Sequence, residues 1–147
     1  SKLNFTMSED NVRMQIRYPW VVIGTDAGGY DPDSAKGLTH PRAYGSYPRI
    51  LGRYVRELKL FSLADAVRRM TSLSADRMGL RGRGRIAKGL AADLVVFDAA
   101  TVGDNTTRRA PNRSPSGIDH VVLNGSVVLK QGKFGRATRA GQVLRRS

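Results

Sequence analysis

Apolar residues recur along this chain in two rhythms, and the change falls near residue 80. In the first part the spacing is helical. Val12 and Ile16 mark one face of a helix, and Ser8-Glu9-Asp10 ahead of them supplies an N-cap and two acids for the first turn. Pro19 ends that helix, because the residue before a proline is driven from the helical region. Residues 20–25 form a continuous apolar run rich in β-branched side chains, which predicts a short strand buried on both faces, as in a parallel α/β sheet. Gly28, Gly29, Pro32, Gly37, Pro41 and Gly45 then punctuate residues 27–46 as a loop, and a loop of that length is more often functional than idle. From Pro48 the helical rhythm returns in Ile50, Leu51, Tyr54, Val55 and Leu58. Ser62-Leu63-Ala64-Asp65 is a capping box with Asp in place of Glu, opening a helix with Leu63, Val67 and Met70 on one face. A further helical turn is predicted over 74–79, closed by Gly79.

Beyond Gly79 the pattern is that of strands. Leu94-Val95-Val96-Phe97 is one. Val121-Val122-Leu123 and Val127-Val128-Leu129 flank Asn124-Gly125, the pair that favours a type I′ turn, and so predict a β-hairpin. Residues 103–117, with Pro111, Pro115 and Gly117, read as a polar surface loop. Gln131-Gly132 ends the hairpin, and Gly141-Gln142-Val143-Leu144 offers one more strand. The chain thus divides into an α/β part over 1–80 and a β-rich part over 81–147. Neither contains an internal repeat or a low-complexity tract.

Composition adds bounds. The 147 residues suffice for one domain with a core, at 40% hydrophobic and 25% charged. No run approaches the ~20 apolar residues that cross a bilayer, so no membrane partner is expected, and Ser1-Lys2-Leu3-Asn4 opens no signal-peptide pattern. Cys is absent, which removes disulfides and thiolate metal ligands and is compatible with a cytoplasmic location. The net charge of +13 raises nucleic acid as a partner. Residues 1–60 carry nine basic and six acidic side chains, and residues 61–147 carry sixteen and six. The densest stretch, Arg81-Gly82-Arg83-Gly84-Arg85, is too short for an RNA-binding tract and has no aromatic residue for base stacking. A solvated turn is the better reading, and nucleic acid stays as an alternative.

The candidate chemistry sits where the apolar run stops, at Gly24-Thr25-Asp26. Asp26 either caps the following turn with its carboxylate or is displayed at the carboxyl end of a strand, where α/β enzymes place catalytic groups. No dinucleotide fingerprint or phosphate loop is present. Downstream lies Thr39-His40-Pro41-Arg42-Ala43-Tyr44-Gly45, in which Pro41 stiffens the backbone and Arg42 offers a planar fork for a carboxylate. An acid at a strand end beside such an arginine could orient and hydrolyse an acidic substrate.

Four stretches make a resemblance visible: VVIGTDAGG at 21–29, THPRAYGSYPRILGRYVRE at 39–57, LADAVRRMTSLSADRMGLRGRGRIAKGLAADLVVFD at 63–98 and GIDHVVLNGSVVLKQGKF at 117–134. They cover most of the chain, which resembles the carboxyl-terminal portion of the D-aminoacylases (N-acyl-D-amino-acid deacylases) of the amidohydrolase superfamily. The third stretch is shared by amidohydrolases in general; HPRAYGSYPR belongs to the D-aminoacylase branch. The resemblance implies an α/β fold, the last part of a (β/α)8 barrel followed by part of a small β-sandwich. Residues 20–26 correspond to the last barrel strand, 63–70 to the helix after it, and 92–147 to the carboxyl-terminal share of the sandwich.

The resemblance also implies roles. Asp26 matches the Asp that activates a zinc-bound water and then protonates the leaving amine. Arg42 matches the Arg that grips the substrate α-carboxylate. His40 lies in the same motif, Tyr44 lines the pocket, and His120 is structural. The family's zinc ligands, a Cys and several His on earlier strands, have no counterpart among these residues. The expectation is therefore a segment of a longer zinc enzyme acting on N-acyl-D-amino acids, needing the upstream barrel segment and inactive alone. A lone barrel strand and half a sandwich leave edges and a core face uncovered, so the segment by itself is expected to self-associate or require that partner. The alternatives are a non-catalytic binding or oligomerisation remnant and a basic nucleic-acid binder.

Overall fold

The first helix begins where the sequence supplies a cap: the Ser8 hydroxyl accepts the Asn11 amide at 3.1 Å. This is α1 (Glu9–Gln15) of a computed structural model that describes residues 8–28, 39–135 and 138–145. Residues 21–28 then run on without strand pairing, which corrects the predicted strand over 20–25. A strand exists only where a neighbour completes its peptide hydrogen bonds, and no described segment lies alongside. Burial on both faces is corrected too. Val21, Ile23 and Thr25 are half-buried while Val22 and Gly24 are exposed, so one face alone rests on the helices.

Much of the predicted loop over 27–46 lies outside the described residues. Its last part is helical instead: α2 (Arg42–Arg49) starts after Pro41 and continues directly into a π-helix, Ile50–Glu57. Pro41 sits at φ −50°, a geometry suited to a helix entrance. Pro48, inside α2, has no N–H to return to the Tyr44 carbonyl. The wider coil follows two residues later, and closes with the Leu58 amide on the Arg53 carbonyl at 2.9 Å. Two helices complete this part. α3 (Leu63–Met70) is capped by Ser62, whose hydroxyl accepts the Asp65 amide at 3.1 Å. α4 (Ser72–Met78) starts two residues earlier than predicted and stops at Gly79, in the left-handed conformation at φ 70°.

Ile16, Ile50, Leu51, Tyr54, Ala66 and Val102 form the buried core, with Ile23 packed against it. Among them lies a cation. The Arg69 side chain is 2% exposed. Its guanidinium reaches Asp65 Oδ2 through Nε at 2.7 Å, pairs there again through Nη2, and donates Nη1 to the carbonyls of Ile16 and, at 3.0 Å, Tyr18. The Phe61 ring lies 4.5 Å below it. Arg68 reaches the other Asp65 oxygen at 2.9 Å and the Pro19 carbonyl at 2.7 Å. Each guanidinium nitrogen of Arg69 has an acceptor, which is the condition for holding a charge out of water.

The sheet among the described residues is antiparallel, in the order β1 (Leu94–Phe97), β2 (Ile118–Leu123), β3 (Ser126–Lys130), β4 (Lys133–Phe134). Val95 faces Val121, and Val121 faces Leu129. Asn124 and Gly125 turn the hairpin with φ 47° and 80°, the two positive angles of a type I′ turn. Residues 141–144, predicted as a strand, make no ladder among the described residues. Val95, Val96, Val127 and Phe134 are all at least 50% exposed, so the sheet keeps uncovered apolar surface.

The segment between β1 and β2 is docked rather than free. Val102 and Pro111 are fully buried, and Gly103 bridges Ser116. It meets the α2–π-helix along one face formed by Gly45, Arg49, Gly52 and Arg56. A Cβ on Gly52 would lie 2.8 Å from the Val102 carbonyl oxygen, and one on Gly45 2.5 Å from Asp104 Oδ1. Arg56 donates to the Val102 carbonyl at 2.6 Å. The glycines allow the approach and the arginine satisfies a backbone acceptor it would otherwise strand.

Two predictions follow from this packing. Gly117 has φ 68°, and a Cβ there would collide with the Val102 backbone; Gly117→Ala should lower stability by about 1–3 kcal/mol in urea denaturation. The Asp65 carboxyl is held below its ordinary range, chiefly by the Arg69 hydrogen bond, against opposing burial and with added help from Arg68. A lowered folded pKa stabilises above the unfolded value of about 4 and is lost as pH falls through the folded one. Urea midpoints should therefore drop in that acid window for the wild type, and Asp65→Asn should abolish this component of the slope.

Candidate active site

Asp26 ends the apolar run with φ 49°, a left-handed turn that short polar side chains tolerate. The turn bond here is made by Thr25, whose hydroxyl accepts the Ala27 amide at 3.3 Å. The Asp26 carboxylate points elsewhere: Oδ2 lies 3.0 Å from Arg42 Nη1. These two residues, sixteen apart in the chain, are brought together because α2 starts beside the end of the run. Both are open to solvent, the side chains 88% and 44% exposed. A carboxylate and a guanidinium therefore face a space that a ligand can enter.

His40 belongs to the same entrance. Its Nδ1 accepts the Arg42 backbone N–H at 3.1 Å, which places the proton of a neutral ring on Nε2. The Arg42 carbonyl in turn accepts the Ser46 hydroxyl at 2.8 Å. Tyr44 is half-buried in the first turn of α2, and no hydrogen bond joins it to Asp26, Arg42 or His40. His120 lies half-buried on β2, away from this group. The Thr39 hydroxyl bonds Asn112, so the segment between β1 and β2 also abuts the His40 loop. That contact joins residues 73 apart and has no local signal in the sequence.

Beneath the run lies a shallow apolar cleft of about 270 Å³, lined by Val21, Ile23, Gly24, Ile50 and Tyr54 with Ser46 and Arg49 at its edge. A zinc ion does not fit the described residues: no group of three or more His, Cys, Asp or Glu among them could hold a metal. His40 already uses one ring nitrogen, and the chain has no Cys.

With this arrangement of acid and arginine in view, relatives of known kind can be set beside it. Residues 4–129 match the amidohydrolase family, and the chain belongs to it. It is 44% identical over 142 residues to N-acyl-D-glutamate deacylase of Alcaligenes xylosoxydans, covering 97% of this chain and 28% of that protein. It is 42% identical to the D-aminoacylase of the same organism, again over 97% and 28%. The crystal structure of a D-aminoacylase, described as defining a novel subset of amidohydrolases, superposes with a TM-score of 0.85 at 41% identity over 95% of this chain and 28% of that one. The N-acyl-D-glutamate deacylase of Bordetella bronchiseptica, solved with zinc and a phosphonate mimic of the tetrahedral intermediate, gives a TM-score of 0.82 at 42% identity, with 95% and 28% covered. The chain thus spans just over a quarter of the length of these relatives.

The Asp26–Arg42 pair is exposed, where ion pairs contribute at most about 1 kcal/mol. Asp26→Asn keeps a side chain that tolerates positive φ. Thermal denaturation should find its stability within about 1 kcal/mol of the wild type.

Proposed function

We propose that these residues are the carboxyl-terminal portion of a zinc-dependent amidohydrolase that hydrolyses N-acyl-D-amino acids to a carboxylate and a D-amino acid. The supporting observation is the 3.0 Å approach of Asp26 and Arg42 in a chain more than 40% identical to such deacylases. On this reading the segment closes a (β/α)8 barrel: residues 20–26 become its last strand where the upstream segment supplies the neighbours they lack here, and 1–80 is the barrel part. Residues 81–147 belong to a small sandwich whose other half covers the exposed apolar surface of the sheet. The upstream barrel segment supplies the zinc ligands, and these 147 residues alone are inactive. A cytoplasmic location accompanies this reading; no helix among the described residues is long and apolar enough to cross a membrane.

The chemistry assigned to this chain's own side chains is limited and concrete. Arg42 binds the α-carboxylate of the substrate through its planar fork. This fixes the scissile amide beside Asp26. The Asp26 carboxylate accepts a proton from water as its oxygen adds to the amide carbonyl. It returns that proton to the amine nitrogen as the C–N bond breaks, so one group serves as base and then acid. His40 holds the Arg42 backbone in place through Nδ1, and Tyr44 lines the pocket.

The alternatives have less support. Of the three arginines in the densest basic stretch, Arg83 is bound to Asp93 and Asn124, and Arg85 makes two bonds to Asp76 at 2.8 and 2.7 Å. Guanidinium groups held this way are not presented to phosphates, which weakens the nucleic-acid reading.

In the complete polypeptide, Asp26→Asn should lower kcat on an N-acetyl-D-amino acid by about 10²- to 10⁴-fold with little change in KM. Arg42→Gln should raise KM by about 10- to 100-fold, the worth of a charged hydrogen-bond pair. Release of free D-amino acid, followed with a D-amino-acid oxidase, measures both. Wild-type kinetics in the two variants would overturn the reading.

A further inference from the structure

Asn124 and Gly125 turn the β2–β3 hairpin, and Asn124 is the one asparagine of the chain that precedes a glycine. The pair that suits a type I′ turn is also the pair most open to deamidation. Glycine has no Cβ, so its amide nitrogen can approach the side-chain carbonyl of the residue before it. The nitrogen gives its proton to water and bonds to Cγ. Ammonia leaves, and a succinimide ring remains. Water opens that ring at either carbonyl, to aspartate or to an isoaspartyl link that runs the backbone through the side chain. Gly125 is exposed, and a Cβ there would meet nothing within 4 Å, so water has access. Asn124 itself is half-buried.

The groups this reaction needs are already engaged. The Gly125 N–H donates to the Ala92 carbonyl at 2.9 Å. Asn124 Oδ1 accepts from Arg83 Nη2 at 2.5 Å, and Nδ2 donates to the Ala140 carbonyl at 2.5 Å. Held at both ends, the amide plane cannot swing over the Gly125 nitrogen without breaking a bond. The Asn124 N–H donates to Asp93 Oδ1 at 2.8 Å, and Asp93 also pairs with Arg83, which reaches Gln142 at 3.4 Å. A two-residue turn requires none of these contacts. They come from positions 16 to 41 residues away, and all lie within residues 82–142. We propose that Asn124 is a deamidation site kept closed by a clamp of Arg83 and the 138–145 segment, and that its conversion releases that segment. The carboxylate that replaces the amide has no proton for the Ala140 carbonyl, and it joins Asp93 beside a single guanidinium. The isoaspartyl product also lengthens the turn and disturbs the pairing of Leu123 with Ser126. The proposal is independent of the deacylase reading.

The test ages the complete polypeptide in mildly alkaline buffer, folded and in urea. Peptide mass spectrometry follows conversion of amide to acid at Asn124, and chromatography separates the isoaspartyl form. The folded wild type should react on the order of 10-fold or more slowly than in urea, because local opening must come first. Two variants each remove one end of the clamp: Arg83→Met, which keeps an aliphatic stem and no donor, and a chain ended after Gly135. Each should react about 2- to 10-fold faster than the folded wild type, the worth of a hydrogen bond. Circular dichroism checks their folding; where one is unfolded the other decides, and the comparison of folded and urea-treated wild type needs neither. In the deamidated fraction, hydrogen exchange over 138–145 should be faster than in the intact protein. A folded wild type that reacts as fast as in urea overturns the proposal. So do folded variants at or below the wild-type rate, the result expected if the guanidinium polarised the Asn124 carbonyl and promoted attack. Unchanged exchange over 138–145 after deamidation overturns the release of the segment.

Discussion

A buried guanidinium that must satisfy all its donors is the constraint on which the helical part turns. Arg69 lies where α1 ends, where α3 packs and where the chain enters its run toward Asp26. A charge in that position is tolerable only with its acceptors in place. The carbonyls of Ile16 and Tyr18 and the carboxylate of Asp65 are therefore fixed together or not at all. The core residues nearest to it, Ile16 and Ala66, are apolar and could pack in several ways. Hydrogen-bond geometry removes that freedom.

A second constraint links the helical part to the sheet. At Gly45 and Gly52 the α2–π-helix meets the segment between β1 and β2 at distances that leave no room for a Cβ. α2 therefore carries Arg42 at its start and is locked to the sheet's longest connection through its body. The same connection reaches the His40 loop through Asn112. Arg42 is thus placed from the sheet side, and it meets Asp26 at 3.0 Å.

The carboxylate and the guanidinium meet as an exposed ion pair. Both remain substantially exposed, so water and a small anionic molecule have access. The sheet and the run also keep apolar residues exposed, Val95, Val96, Val127 and Phe134 on the one and Val22 on the other.

Local signals in the sequence determined what depends on neighbours in the chain. Ser8 and Ser62 marked helix starts, Gly79 marked a stop, Asn124-Gly125 marked the hairpin, and each was visible because a cap or a turn is decided within a few residues. The motif HPRAYG, with Gly24-Thr25-Asp26, carried the resemblance to the family to which the chain belongs. Other features were illegible for physical reasons. The run over 20–25 has strand composition, yet pairing is a property of neighbours, and one face found helices while the other found none. The helix at 42–49 was hidden by glycine and proline, whose purposes were close approach to Asp104 and entry into the π-helix. Arg69 looked like any helix-surface cation until tertiary packing enclosed it. The sequence by itself determined the caps and the turn, because those are local. Only the tertiary structure decided which charges meet and which are buried, because those depend on segments 16 to 73 residues apart arriving at one place.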